Sequence, residues 1–459
     1  MRKSIVALIL VAPSLAFASG YAVPNTAPRD LGLCASSVAA QRDAGAAFAL
    51  PAALSRIQGP SVRGGAGIVN AFNDWKDPTP GATTARLGDP PEPGTESQDL
   101  QYTPFPNVAV SYGGKVPFLG AERGWGVGLS FQPFGGAIVK WPDDWAGRYR
   151  ITEVDRRVFS GIASVGIEII PQVRIGGGLV YYYTTEKFTQ KAWMQPYPLG
   201  ITTPTAPDAS AKLDLSGGAF SFDVSAEIEP LRDVPLTIGV DYKHKASQHL
   251  DGDVTWTGTA PYFAGPPATR VPPLTALFTA TSAKQTLTVP NTLNVGAAYR
   301  VIKPLLVTAT FTFDRWVVYD RDLFIANTGA SLDVARDYKN GQTYRAGAEY
   351  DLNRAFQVRL GVQRDVSGLN TSVYSPTLPD ASSWGGSVGA TYRFARDFYV
   401  DAAFFYANMD KVEVPATAGT EPAGTATGFP TGTFRGSYDP SAYIYGVALG
   451  WTPGARTGG

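Results

Sequence analysis

The 459-residue sequence predicts an all-β membrane protein, a fourteen-stranded antiparallel transmembrane β-barrel with a small helical N-terminal plug. Three observations predict this fold. Apolar and polar residues alternate with a period of two, the predicted strands are even in number, and short connections alternate with long ones. Successive side chains of a strand point to opposite faces, so this alternation gives each strand one apolar and one polar face. In a barrel that crosses a bilayer, the apolar face meets lipid and the polar face lines the lumen.

The first eighteen residues are predicted to be an export signal. Arg2 and Lys3 form a positive start, residues 5–15 form an apolar core, and residues 16–18 read Ala-Phe-Ala, a cleavage site of small residues. The mature chain is therefore expected to begin at Ser19. An exported barrel of this kind is predicted to be a multi-pass protein of the bacterial outer membrane.

Residues 19–58 are predicted to form the N-terminal plug, and residues 59–459 the barrel. The segment 35–57 is rich in alanine, has helix-forming spacing broken at Pro51, and lacks the alternation of the strands. It is too short to fold alone. Either it caps one end of the barrel or it lies inside as a plug. We favour the plug because the lumen of a wide barrel must be filled or wet.

The strand predicted from Phe356 shows the alternation most clearly. Its apolar positions are Phe356, Val358, Leu360 and Val362, and its polar or glycine positions are Gln357, Arg359, Gly361 and Gln363. Similar runs begin at Tyr344 and Phe220. A soluble sandwich would bury such an apolar face against a second sheet, whereas a barrel in lipid exposes it.

Fourteen strands are predicted from residue 61 onward. They cover residues 61–73, 104–116, 124–141, 147–170, 172–191, 210–229, 235–257, 283–300, 304–322, 341–352, 354–365, 383–395, 397–413 and 434–452. Short connections of such barrels face the periplasm and long ones face outward. Two long connections carry clustered apolar side chains, which predict a loop site for capturing an apolar molecule. Its residues are Trp193, Met194, Tyr197, Tyr262, Phe263, Leu277 and Phe278.

The third strand contains an interruption, Pro133-Phe134-Gly135-Gly136. Proline has no N–H to donate to a neighbouring strand, and glycines weaken and bend a strand. The sequence therefore predicts a break in pairing within the barrel wall. Pro290 in the eighth strand is a second such break, which we interpret as a bulge.

Several short motifs resemble the FadL-type outer-membrane transporters, in this order along the chain. They are Gly20-Tyr21, Leu31-Gly32, Asp43-Ala44-Gly45, Pro51-Ala52, Gly124-Trp125-Gly126-Val127-Gly128, Ala146-Gly147-Arg148 and Leu287-Thr288-Val289-Pro290. The resemblance implies a fourteen-stranded barrel whose plug includes Asp43, Gly45, Leu50, Pro51 and Ala52. One departure lies in the plug, where the family has Asn-Pro-Ala and this chain has Leu50-Pro51-Ala52. Leucine offers no side-chain hydrogen bond, so a latch built on the asparagine amide must differ here.

The resemblance also implies a function. Family members carry long-chain fatty acids or aromatic hydrocarbons, and a kinked third strand opens their wall to lipid. We therefore expect passive transport of hydrophobic small molecules, with lateral exit at residues 133–136. The alternative is a porin-like diffusion channel for small solutes. The expected partners are the substrate, outer-membrane lipid and lipopolysaccharide, with a monomeric barrel; zero net charge disfavours nucleic acid.

The candidate ligand-contacting residues are Phe134, Thr185, Lys187, Arg345 and Arg359. The two arginines could grip a carboxylate through two parallel hydrogen bonds. Thr185 stands where fatty-acid carriers of the family have a basic residue, which weakens a fatty-acid assignment and leaves a neutral hydrophobic substrate open. No enzyme, cofactor or metal site is predicted, because the two histidines lie on opposite strand faces and no nucleophile or phosphate motif occurs.

Overall fold

The computed structural model describes residues 20–24, 26–77, 94–192, 209–231, 233–257, 279–415 and 434–453. In this part of the chain, fourteen antiparallel strands form a closed barrel, as predicted. Closure occurs between the first and last strands, where Val62 pairs with Trp451 and Lys76 pairs with Ser437. Each strand otherwise pairs with its sequence neighbours.

Eight strands are single segments and six consist of two segments each. The single segments are β1 (Gly59–Lys76), β3 (Ala121–Lys140), β4 (Glu153–Ile170), β5 (Val173–Ala192), β6 (Ala209–Ile228), β11 (Phe356–Val366), β12 (Ser383–Arg393) and β14 (Gly436–Trp451). The divided strands are β2 (Thr95–Ser97, Thr103–Phe118), β7 (Leu236–Lys243, Ala246–Thr257), β8 (Ser282–Val289, Thr292–Ile302), β9 (Leu305–Asp314, Arg321–Ala326), β10 (Ser331–Ala335, Gly341–Asp351) and β13 (Phe398–Met409, Val412–Val414). The connections after β2, β4, β6, β8, β10 and β12, of two to seven residues, lie at one end of the barrel, and the four-residue turn between β9 and β10 lies at the other end.

The outer surface of the barrel is apolar, and the inner surface is polar. On β11, Leu360 is 63% exposed, whereas its neighbour Arg359 is 2% exposed. On β6, Phe220 is 67% exposed, whereas Asp223 is buried. A soluble protein would show the reverse order, so this arrangement requires lipid outside and an occupied lumen inside. The predicted direction of the alternation is confirmed.

The N-terminal segment, residues 20–58, contains two four-residue α-helices, α1 (Pro28–Leu31) and α2 (Ala46–Ala49). Two 3₁₀ turns, Val38–Ala40 and Pro51–Arg56, complete it. Positive φ angles at Cys34 and Ala35, 49° and 57°, prevent a helix from continuing past α1. Among the described residues, no helix has the length and apolarity needed to span a bilayer.

The structure departs from the predicted strands in β4 and β9. Strand β4 begins at Glu153 rather than residue 147, because residues 147–152 form turns beside the buried Trp145. Strand β9 is interrupted by a 3₁₀ turn, Trp316–Val318, and its second segment forms an outer hairpin with the first segment of β10. Apolar residues on both faces, as in 316–319, are the local sign of this interruption.

The predicted break at Pro290 divides β8, and an unpredicted break divides the facing strand β7. Pairing between these strands runs up to Val289 with Ala246 and resumes at Thr292 with Lys243. Residues 244–245 and 290–291 therefore lie opposite each other without ladder pairing.

Candidate functional site

The N-terminal segment lies inside the ring of strands and touches the wall on all sides. Its 3₁₀ turn Pro51–Arg56 packs on β2 to β6, the turn Val38–Ala40 packs on β7, β8 and β9, and helix α1 packs on β12, β13 and β14. Glycines on the inner wall allow backbone to approach backbone. A Cβ atom on Gly166 would lie 2.3 Å from the Pro51 carbonyl oxygen, so no other residue fits there without movement.

Ion pairs tie this segment to the wall. Arg29 lies 3.2 Å from Glu349 on β10, and Arg56 contacts Glu227 on β6. Arg63 on β1 lies 3.4 Å from both Asp30 and Asp43. These pairs connect the segment to three separate parts of the barrel.

Asp43, one of the residues carrying the family resemblance, is held at several atoms. It accepts hydrogen bonds from the Gly45 amide at 2.8 Å and from the Tyr399 hydroxyl at 2.9 Å. Burial alone would raise the pKa of Asp43, but Arg63 and Arg29 together hold that pKa below its usual range. A Cβ at Gly45 would lie 2.3 Å from the Arg63 guanidinium, so a larger residue there would displace the Arg63 side chain.

The interruption in β3 is a β-bulge. Pro133 pairs with Phe159 of β4 and Gly135 pairs with Val158, so Phe134 is the extra residue. The predicted break in pairing is therefore present on the β4 side as a shift of one residue. A bulge of this kind bends the strand that carries it.

On its other side, β3 separates from β2 and leaves an opening in the wall. The β2–β3 ladder ends at Val108 paired with Phe131, although both strands continue outward. Thr103 to Asn107 pair only with β1 among the described residues, and two of these five residues are prolines, Pro104 and Pro106. Prolines supply no N–H groups, so they favour an unpaired edge.

The opening, which we call the wall window, is bounded at its outer end. There the Asp99 amide donates to the Lys140 carbonyl at 2.7 Å, and the Gln98 side-chain amide donates to the Ile138 carbonyl at 3.4 Å. The window thus lies between this bridge and the last ladder pair, Val108 with Phe131. It spans residues 132–137 of β3.

Residues 21–23 of the N-terminal segment pair with the bulge at the window. The Gly136 amide donates to the Tyr21 carbonyl at 2.8 Å, and the Val23 amide donates to the Phe134 carbonyl at 3.1 Å. Ala22 and Gly135 form an isolated antiparallel bridge. Gly135 must be glycine for this contact, because its Cβ would lie 2.0 Å from the Tyr21 carbonyl oxygen.

The Tyr21 side chain anchors this contact in an aromatic cluster. Its ring lies edge-on to Trp316 and Tyr319, with centroids 4.8 and 5.4 Å apart, and 6.3 Å from the Phe134 ring. Its hydroxyl donates to the Thr288 carbonyl at 3.0 Å. The sequence did not indicate Trp316 as a site residue, because it lies in a segment predicted to be continuous strand.

A cavity of about 310 Å³ lies behind the window. Its walls are largely apolar and its floor is polar. Wall residues include Tyr21, Phe48, Phe105, Phe134, Phe405 and Ile444, and floor residues include Asp241, Lys243, Asn294, Asp314, Arg345 and Asp365. Pro133 and Phe159 also line it. Residues on both edges of the window, Thr103 to Phe105 on β2 and Pro133 to Ile138 on β3, also line the cavity, so the cavity is continuous with the window.

The predicted ligand-contacting residues separate into three groups. Phe134 and Arg345 line the cavity. Arg359 lies at the opposite end of the barrel, buried between Glu349 at 2.8 Å and Asp401 at 3.1 Å. Thr185 and Lys187 lie on the outward face of β5, and Glu186 between them points inward to Arg156.

The residues of the predicted loop capture site lie outside the part of the chain that the structure describes. They are Trp193, Met194, Tyr197, Tyr262, Phe263, Leu277 and Phe278. The plug residues Asp43, Gly45, Leu50, Pro51 and Ala52 are all described, and all lie within the lumen against the wall.

A closed barrel with an apolar exterior and a filled lumen defines an integral membrane protein of the bacterial outer-membrane type. The family model for outer membrane protein transport proteins (OMPP1/FadL/TodX) matches residues 9–452, and the chain belongs to this family. The predicted resemblance and location are thereby confirmed. The family consists of transport proteins rather than enzymes.

Sequence relatives are distant and match in part. The chain is 23% identical over 227 residues to the putative outer membrane protein NMB0088 of Neisseria meningitidis serogroup B, covering 47% of this chain and 48% of that protein. It is 25% identical over 128 residues to outer membrane protein P1 of Haemophilus influenzae, covering 28% of each chain. The matches therefore span about half or less of these relatives.

Solved structures resemble the whole barrel. A Pseudomonas aeruginosa FadL homologue superposes with a TM-score of 0.76 at 17% identity, covering 95% of this chain and 100% of that chain. The P. putida toluene transporter TodX superposes with a TM-score of 0.66 at 14% identity, covering 94% and 98%. At these identities the likeness establishes the fold.

Proposed function

We propose that this protein carries hydrophobic small molecules passively across the outer membrane and releases them sideways through the wall window. The candidate substrates are long-chain fatty acids or related hydrophobic and aromatic compounds. The proposal rests chiefly on one observation, a largely apolar cavity that is continuous with a gap between two barrel strands. Membership of a transport family supports it, as does the structural likeness to a protein described as a toluene transporter.

The path begins at the outer mouth and ends in the membrane. A molecule held against Phe48, Phe134 and Phe405 exchanges contact with water for contact with apolar side chains, worth about 25 cal/mol per Å² of apolar area. Lipid beyond Pro133 and Phe159 offers a similar environment. Sideways release therefore needs little free energy. Release into periplasmic water would lose all of the free energy gained when the apolar surface left water.

Residues 20–24 are the proposed gate. They cover the window from inside and satisfy the Gly136 amide and Phe134 carbonyl, which would otherwise face hydrocarbon at a cost of several kcal/mol each. A substrate that displaces Tyr21 from its aromatic contacts frees the window. The remaining residues, 26–58, stay as a plug because their ion pairs bind them to the wall.

The alternative function, a porin-like channel, requires a continuous aqueous lumen. The N-terminal segment lies across that lumen and touches the wall on all sides. We therefore expect little ion conductance from the purified protein in planar bilayers. A stable conductance of porin size in the wild-type protein would favour the alternative.

The decisive experiment compares two changes at Phe134 in cells that lack other carriers. Deletion of Phe134 removes the extra residue, so β3 can pair continuously with β4 and lose its bend. Phe134→Ala keeps the bulge and removes only the ring. Uptake of radiolabelled dodecane, toluene and a long-chain fatty acid is measured against cells with an empty vector.

We expect the wild type to raise uptake of at least one probe, the deletion to lower it at least tenfold, and Phe134→Ala to retain most of it. Folding of each variant is checked by the heat-dependent electrophoretic mobility of the barrel. Undiminished uptake by a folded deletion variant would refute lateral exit. Uptake equal to the empty vector for every probe would refute hydrophobic transport altogether.

A further inference from the structure

A second unpaired stretch of the barrel wall lies between β8 and β9. The ladder between these strands stops after Gln285 of β8 and resumes at Thr292. Over this interval β8 contributes residues 286–291 and β9 contributes residues 315–323, with no ladder pair between them. Strand β9 therefore carries three extra residues here, and the 3₁₀ turn Trp316–Val318 accommodates them. We call this stretch the β8–β9 gap.

The β8–β9 gap lies where the outer surface of the barrel changes from apolar to charged. On the side of the short connections, Val295 and Tyr299 of β8 are exposed, as contact with lipid requires. On the other side of the gap, His249, Lys284 and Arg321 are exposed. Charged side chains on the outer face of a barrel are costly in the middle of the bilayer and tolerated near its surface. The gap therefore opens at the outer boundary of the bilayer, toward water.

A groove of about 470 Å³ lies over the gap on this outer surface. Thr286 and Thr288 line it from β8, and Val318, Tyr319 and Leu323 line it from the β9 side. The charged residues at the groove are Asp251, Lys284, Asp320 and Arg321, so both signs are present. Because neither sign dominates and apolar side chains lie between the charges, the groove suits an uncharged molecule with an apolar body.

The side chain of Tyr21 separates this groove from the cavity behind the wall window. Tyr21 lines the cavity and Tyr319 lines the groove, and their rings meet edge-on with centroids 5.4 Å apart. The Tyr21 hydroxyl donates at 3.0 Å to the carbonyl of Thr288, a residue of the gap. Tyr21 thus closes the gap with its side chain, while its backbone carbonyl accepts from Gly136 at the window.

The residues of this closure are held to different degrees. The Tyr319 hydroxyl accepts from Arg156 at 2.7 Å and donates to Asp322 at 2.7 Å, so Tyr319 is fixed to the wall. Trp316 is buried, and its Nε1–H has no acceptor in the part of the chain that the structure describes. A buried donor without an acceptor destabilises the closed arrangement. Displacement of Tyr21 is therefore the movement that opens the gap.

We infer that the β8–β9 gap is a lateral entrance, by which uncharged hydrophobic molecules pass from the water outside into the cavity. Such a molecule first buries part of its surface against Val318 and Leu323 in the groove. It then displaces Tyr21 and gains contact with the larger apolar walls of the cavity, so burial of apolar area favours each step. Since Tyr21 closes both openings, entry at the gap also frees the wall window. This inference rests on the proposed function, because it assigns the route by which the transported molecule enters.

The first test closes the gap. Deletion of residues 316–318 removes the three extra residues, so β8 and β9 can pair continuously from Gln285 to Thr292. Trp316→Ala is the matched control, because it removes the same ring and keeps the gap. We measure uptake of radiolabelled dodecane and toluene in cells that lack other carriers, and folding by heat-dependent electrophoretic mobility. We expect the deletion to lower uptake at least fivefold and Trp316→Ala to retain at least half of it. Equal uptake by the two folded variants would overturn the inference.

The second test blocks the groove in an otherwise unchanged barrel, and it decides the matter where the deletion variant does not fold. Thr286→Cys places a thiol at the groove, and Asp410→Cys places one on the outer surface at β13. The native Cys34 is the only cysteine of the chain and is buried, so a bulky polyethylene-glycol maleimide labels the introduced thiol. Labelling should lower uptake at least fivefold in Thr286→Cys and leave it unchanged in Asp410→Cys.

The outcomes separate this inference from the proposed function. Unchanged uptake after labelling of Thr286→Cys, together with loss of uptake on deletion of Phe134, would refute the entrance and leave lateral release intact. An equal loss in both labelled cysteine variants would also refute the entrance, because the effect would not belong to the groove. Wild-type uptake of dodecane and toluene no higher than that of the empty vector would refute the inference, and the proposed function would fail with it if the fatty acid also did not enter.

Discussion

Tyr21→Ala is the most informative single change, because Tyr21 joins the N-terminal segment to the window. The ring is buried among Trp316, Tyr319 and Phe134, and the hydroxyl bonds Thr288. Alanine removes the ring and the hydroxyl while the backbone atoms that pair with β3 remain. The change therefore weakens the docking of residues 20–24 without altering the strands.

The magnitude follows from what docking buries and bonds. Two backbone hydrogen bonds to Gly136 and Phe134 contribute about 0.5–1.5 kcal/mol each. Truncation of a fully buried aromatic ring costs about 3–5 kcal/mol. Because every 1.4 kcal/mol is tenfold in an equilibrium constant, Tyr21→Ala should raise the undocked fraction by roughly two to three and a half orders of magnitude.

Hydrogen–deuterium exchange measures this directly. The amides of Gly136 and Val23 are protected only while the segment is docked, so their exchange should accelerate by the same factor in Tyr21→Ala. Tyr21→Phe is the control: it loses only the bond to Thr288, worth about 1 kcal/mol, and should accelerate exchange roughly fivefold. Equal protection in the wild type and Tyr21→Ala would refute the anchoring role of this ring.

Three further changes test separate contacts. Gly135→Ala places a Cβ 2.0 Å from the Tyr21 carbonyl and should expose the Gly136 amide to exchange, whereas Gly386→Ala, with open space at its Cβ, should not. Arg359→Met removes the arginine paired with buried Asp401 and leaves Glu349 with Arg29 alone, and should cost about 3–5 kcal/mol of stability. Arg364→Met breaks the ion pair with Asp410 on the outer surface and should cost less than about 1 kcal/mol. Thermal unfolding in detergent measures the stability of both methionine variants. Burial raises the pKa of Asp380 to about 7. The loop 367–382 should therefore lose up to about 4 kcal/mol of local stability as pH rises from 4 to 7. Asp380→Asn should abolish this dependence of loop stability on pH.

Each of these expectations has a contrary result. Equal exchange of the Gly136 amide in the two alanine variants would remove the steric argument at the bulge. Equal melting temperatures for the two methionine variants would mean that the buried pair is solvated. For Asp380, the sign is fixed because the folded loop holds a proton that the unfolded chain has lost above pH 4. Local exchange of the loop that is slower at pH 8 than at pH 5, after correction for intrinsic rates, would contradict the buried placement of this carboxyl.

The sequence alone determined the strands and their orientation. Side-chain alternation is a local property with a fixed period, so the residues of Phe356–Val366 suffice to assign this strand one lipid-facing and one inward face. Pro133, Gly135 and Gly136 also predicted where β3 fails to pair, because the missing N–H and the flexible backbone belong to those residues themselves. Where both faces are apolar, as at Trp316–Val318, alternation carries no information, and the prediction of a continuous strand missed this interruption.

Only the tertiary structure decided which residues meet. Tyr21 and Gly136 are distant in sequence, and nothing in either neighbourhood indicates that one covers the other. The alternation predicted that the side chains of Arg345 and Arg359 both point into the lumen. Arg345 lines the cavity, whereas Arg359 is held in ion pairs at the opposite end of the barrel. The physical reason is that parity fixes the face of a strand, whereas depth in the barrel, charge pairing and the path of the N-terminal segment depend on closure of the whole sheet.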